Sequence, residues 1–91
     1  VDPGHAESLG DLGAATMIRG DTVGGIRYLE RAVQSKPDYA VAWLNLGRIH
    51  LSRGDGPAAR TSLTRFLATA DARLQNEISW ARAILETSAL R

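Results

Sequence analysis

Apolar residues return along this chain at helical spacing, and the stretches they mark are cut at regular intervals by Gly-Asp pairs. Leu9, Leu12, Gly13 and Met17 stand at i, i+3, i+4 and i+8, which predicts an amphipathic helix over about 6–19. Gly20 then offers a residue suited to left-handed angles, with Arg19 against the negative end of the helix dipole and Asp21 ready to cap the next N-terminus. A second helix over about 22–35 turns Ile26, Leu29 and Val33 inward. Pro37 ends it by biasing Lys36 away from helical angles, and Asp38 is placed to cap a third helix over about 39–53. Trp43, Leu46, Gly47, His50 and Leu51 repeat the first stripe there. Gly54 and Asp55 then punctuate again before a helix over about 56–70 carrying Ala59, Leu63, Phe66 and Leu67. Beyond Asp71, a further N-cap, the pattern Leu74, Ile78, Ala81 and Leu85, with Trp80 and Ile84 beside it, predicts a last uninterrupted amphipathic helix over 72–91.

The punctuation recurs with a period of 34 residues. Displaced by that amount, Pro3 falls on Pro37, Ala6 on Ala40, Leu12-Gly13 on Leu46-Gly47, Arg19-Gly20-Asp21 on Arg53-Gly54-Asp55, Leu29 on Leu63 and Arg31 on Arg65, while Leu9 meets Trp43. Identities on turn residues and apolar anchors are what a structural repeat leaves behind. Val1-Asp2-Pro3 stands to the first unit as Ser35-Lys36-Pro37 stands to the second, so it reads as the tail of a preceding repeat, and the start at Val1 rather than Met suggests excision from a longer chain.

Composition narrows what such a stack does. Eleven basic and ten acidic residues give a formal charge of +1 without any run of one sign, so the basic stripe that binds phosphate backbones is missing and nucleic acid is not an expected partner. With no Cys there is neither a disulfide framework nor a thiolate metal site. No apolar stretch approaches the roughly 20 residues that cross a bilayer, so membrane insertion is not expected, and a soluble segment with the cytoplasm as default compartment is the reading.

A 34-residue helix-turn-helix unit with Trp43, Leu46-Gly47, Gly54-Asp55, Ala59, Leu63 and Phe66, preceded by a unit that Pro37 closes, resembles the tetratricopeptide repeat family, although Asp71 stands where the second unit's own proline would be. The segment Tyr39 to Gly47 is a close match, whereas the first unit has Leu9 for the Trp and Gly25 for the Ala of the second helix. The resemblance implies an all-α, right-handed solenoid of antiparallel hairpins: the tail of a preceding repeat at 1–5, units at 6–37 and 38–71, and a C-terminal capping helix at 72–91. Gly13 and Gly47 are then close-approach points facing Gly25 and Ala59, and each unit buries a face by stacking on its neighbour. Gly24-Gly25 costs about 1 kcal/mol per glycine against Ala, making the first hairpin the softer one.

The resemblance also implies a concave groove lined by the first helix of each unit. The residues it puts there are Glu7, Gly10, Ala14, Met17 and Ile18, followed by Val41, Leu44, Asn45, Arg48, Leu51 and Ser52. That mostly apolar set suits a peptide or partner helix of another polypeptide. Met17 and Leu51 are equally well read as packing residues between helices. The family's two-carboxylate clamp for acidic chaperone tails finds only Asn45, because Gly10, Ala14, Gln75 and Ser79 stand at its other positions, so that partner is not expected. No catalytic constellation assembles around His5 or His50, and neither a cofactor nor a metal is called for. A protein-binding module of a larger protein is the expected function. Its alternatives are a homo-oligomerisation module working through the same apolar surface or the last helix, and a non-catalytic accessory domain tethered to an enzyme.

Overall fold

The computed structural model of the chain describes residues 5–87, where it contains α1 (His5–Ile18), α2 (Thr22–Ser35), α3 (Ala40–Ser52), α4 (Gly56–Thr69) and α5 (Gln75–Leu85), the last entered through a 3-10 turn at Ala72–Leu74. No strand occurs among the described residues. Residues 1–4 of the expected repeat tail, Pro3 among them, lie outside these, like Leu90 and the end of the expected last helix, while His5, placed in that tail, is the first residue of α1.

Two like reversals make the hairpins. After α1, Gly20 takes φ 91°, Asp21 N–H donates to the Thr16 carbonyl at 3.1 Å and Gly20 N–H to that of Met17 at 2.9 Å. After α3, Gly54 takes φ 74° and the same two bonds run from Asp55 to His50 and from Gly54 to Leu51. This is the doubly bonded C-terminal turn in which a left-handed glycine lets orphan carbonyls find partners. Each Asp then starts the next helix, the Asp21 carboxylate accepting from Gly24 N–H at 2.9 Å and that of Asp55 from Ala58 N–H at 3.2 Å.

The hairpins are joined differently. Lys36 is extended at φ −139° and ψ 90°, as the following proline requires. Asp38 does not cap α3. Tyr39 holds that position without a side-chain bond, and the loop is tied instead by the Trp43 indole N–H, which donates to the Pro37 carbonyl at 2.8 Å. After α4 the Asp71 carboxylate accepts from Arg73 N–H only two residues on, at 2.9 Å, and Leu74 N–H reaches the Asp71 carbonyl at 3.0 Å. That tight bonding makes the first turn 3-10 rather than α. The α-helix therefore starts at Gln75 rather than Ala72, and among the described residues it runs to Leu85.

Packing is closest between α1 and α2 and between α3 and α4, with α2 on α3 and α4 on α5 joining the hairpins in chain order. Leu9, Ile26, Leu29, Ala32, Val33, Ala42, Leu46 and Ile49 form one apolar cluster, and Ala40, Leu44, Leu63, Phe66 and Ala81 form a second. Leu29, Leu63 and Phe66 are fully enclosed, and each such side chain stabilises the fold by about 1.5–3 kcal/mol. Gly13 and Gly25 meet as expected: a Cβ on Gly13 would lie 3.1 Å from the Gly25 carbonyl oxygen and 2.9 Å from Leu29 Cγ. A Cβ on Gly25 would lie 2.5 Å from Met17 Cγ, so this glycine is a contact point and not simply a cost to α2. At Gly47 the near neighbour is Leu63, at 2.5 Å from Cδ2, rather than Ala59.

One expected core residue is not in the core. Leu46 is 2% exposed, yet Leu12, its counterpart one repeat earlier, is 49% exposed. The reason is positional: α2 covers the Ala42, Leu46 and Ile49 face of α3, and among the described residues nothing covers the matching face of α1.

Candidate functional site

The residues expected along the groove separate into three groups. Ala14, Met17 and Ile18 from α1 come together with Asn45 and Arg48 from α3 around one depression of ≈ 240 Å³, floored by Leu29 and Ile49. Ile18 stands at its edge, 88% exposed. Met17 is half-buried and pliant, able to reshape the wall. Apart from Asn45 and Arg48, every lining residue is apolar.

Glu7 and Val41 lie instead around a second, polar depression of ≈ 350 Å³ with Lys36, Asp38, Tyr39, Asp71 and Arg73. Here the Tyr39 phenol is held above its ordinary pKa, chiefly by burial and then by the nearby charges of Asp11 and Glu7. Across the same space the Asp71 carboxylate is held below its usual range, chiefly by hydrogen bonds from the Arg73 side chain, at 2.9 Å from Nη2, then by the Arg73 backbone N–H and the guanidinium's charge. Both of those side chains are largely in water, so the pair contributes little to stability.

Four expected groove residues line neither space. Leu44 is 4% exposed in the cluster that α3 shares with α4 and α5, because Ala81 of α5 packs in that cluster. Gly10 is closed over by the Tyr39 ring, 3.1 Å from where its Cβ would be. Leu51 is half-buried against the second cluster, and the Ser52 hydroxyl is occupied in donating to the Ile49 carbonyl at 2.8 Å. The apolar space is thus narrower than the spacing implied, and it sits toward the C-terminal ends of α1 and α3.

Trp80, expected only beside the stripe of the last helix, lies against a groove residue instead. The Arg48 guanidinium lies over its ring at 5.3 Å from the centroid. A strict 34-residue period would have put Trp80 on the buried Leu46 position and Ala81 on that of Gly47. In the structure Ala81 is wholly buried and Trp80 half-buried. The signal was a tryptophan beside a stripe that already had its inward residues.

Among the described residues no group of three or more His, Asp or Glu is placed to hold a metal, and no helix is long and apolar enough to cross a membrane.

Like hairpins, built from repeated turn chemistry and stacked in chain order through shared apolar clusters, define an all-α helical-repeat protein. Residues 16–84 match the family model described as tetratricopeptide repeat, and the chain belongs to the tetratricopeptide repeat family. No curated protein matches it at significant similarity. Repeats of this family generally mediate protein–protein interaction and are typically non-catalytic scaffolds.

Proposed function

We propose that this chain is a non-catalytic protein-binding module that receives an apolar or amphipathic segment of another polypeptide in the depression between α1 and α3. One observation carries the reading: Ile18 is 88% exposed at the edge of a space lined by Ala14, Met17, Leu29 and Ile49, with Asn45 and Arg48 its polar residues. A large aliphatic side chain left that open beside a ready apolar cavity has a use when a partner covers it. At ≈ 240 Å³ the space is below the range of about 300–1,000 Å³ that holds a small-molecule ligand, and it suits one bulky side chain of a peptide. The two hairpin units and a capping role for α5 belong to the same proposal.

The test is selection of binding peptides from a randomised library displayed on phage, with the wild-type protein and Ile18→Glu compared. Ile18 is almost wholly in solvent, so its replacement leaves helicity and melting temperature unchanged and removes the selected peptides. Peptides that bind both proteins equally overturn the proposal. The competing reading, self-association through the same surface, predicts a dimer at micromolar concentration in light scattering that Ile18→Glu dissociates.

A further inference from the structure

Resting on the groove proposed above, we infer that the segment it receives carries a carboxylate side chain within one helical turn of its apolar anchor, and that Arg48 takes that carboxylate. Arg48 is the one charged residue lining the depression, and none of the lining residues is acidic. It is exposed and makes no ion pair among the described residues, where the pair at hand is Asp71 with Arg73. What holds it is the face of Trp80, at 5.3 Å. A cation–π contact of this kind restrains a guanidinium without using up its N–H donors, which can then receive a carboxylate in a two-pronged fashion. An arginine already ordered by its own protein loses less side-chain freedom when a ligand arrives.

The other cation–aromatic pairs differ. Arg31 over Tyr28 and Lys36 over Tyr39 are pairs three residues apart in the chain, and Arg65 over Trp43 joins α4 to α3, but none of these cations lines the apolar depression. Arg48 shares one space of ≈ 240 Å³ with Met17 and Ile18, so anchor and acid lie close together on the ligand. On a ligand helix that is the i, i+3 or i, i+4 separation of about 5–6 Å. The acid is a side chain, so blocking the peptide's C-terminus does not remove the interaction.

The experiment uses the phage selection, then N-acetylated, C-amidated peptides made as Glu and Gln versions of the selected consensus and measured by fluorescence anisotropy. Wild-type selections carry Asp or Glu at a fixed three- or four-residue offset from a bulky apolar residue. Glu→Gln in the peptide weakens binding about three- to tenfold at low salt, as does Arg48→Gln in the protein, and combining the two adds nothing further. Arg48→Glu selects Lys or Arg at the same offset. Arg48→Lys recovers only part of the affinity, since an ammonium lacks the planar fork. A consensus that has no acid, or is indifferent to Arg48 while still lost in Ile18→Glu, overturns this inference and leaves the groove standing. Selections that survive Ile18→Glu overturn the groove itself.

Discussion

Single residues in this molecule do opposite things according to what their Cβ would touch. Gly20 and Gly54 are required for their positive φ, with open space around them, so alanine there costs about 1–2 kcal/mol in backbone strain alone. Gly25 and Gly47 sit in ordinary helical backbone, where helix propensity favours alanine by about 1 kcal/mol. The added methyl would lie 2.5 Å from Met17 Cγ or from Leu63 Cδ2, and crowding of that kind costs about 1–3 kcal/mol. Urea unfolding of Gly47→Ala is therefore expected to show a loss of stability, and a gain would contradict the close approach. Tyr39 gives a second residue-scale prediction. Burial first, then Asp11 and Glu7, favour the neutral phenol in the folded state. The stability this contributes is complete below the ordinary tyrosine pKa and falls away as pH rises through the folded value. Phenolate absorbance in a Tyr28→Phe background should titrate above ordinary tyrosine, and Asp11→Asn should bring it partway down.

Helices α1 to α4 were legible because their ends are written in residues that act locally: Gly20 and Gly54 by their angles, Asp21 and Asp55 by their carboxylates, Pro37 by its ring. What covers a helix face is not local, and the reading was weaker there. Leu12 and Leu46 occupy the same place in their stripes, but only Leu46 has a helix packed against it. Leu44 looked as accessible as Arg48, but it packs in the cluster that α3 shares with α4 and α5, a neighbourhood that its place in the stripe of α3 does not reveal. The contrast is measurable. Leu46→Ala should cost about 2–5 kcal/mol in urea unfolding, as buried leucines do. Leu12→Ala should cost well under half of that, and an equal loss would mean that something covers α1.

At the scale of the whole molecule, stacking hairpins through shared clusters leaves the outward sides of α1 and α3 beside one another, and the candidate site is the space between their C-terminal halves. Its apolar character was readable from Ala14, Met17 and Ile18. Its extent was not, since Gly10 is filled by Tyr39 and Leu44 by packing against neighbouring helices, which needs three-dimensional neighbours to see. Trp80 behind Arg48 likewise depends on where α5 settles. The central claim is that this space between α1 and α3 holds a segment of another polypeptide, and binding of a selected peptide to wild type and to Ile18→Glu tests it most directly. The account predicts saturable binding to the wild type and its loss in the variant, with both proteins showing the same circular dichroism and melting temperature. Equal affinity for the two proteins would contradict it.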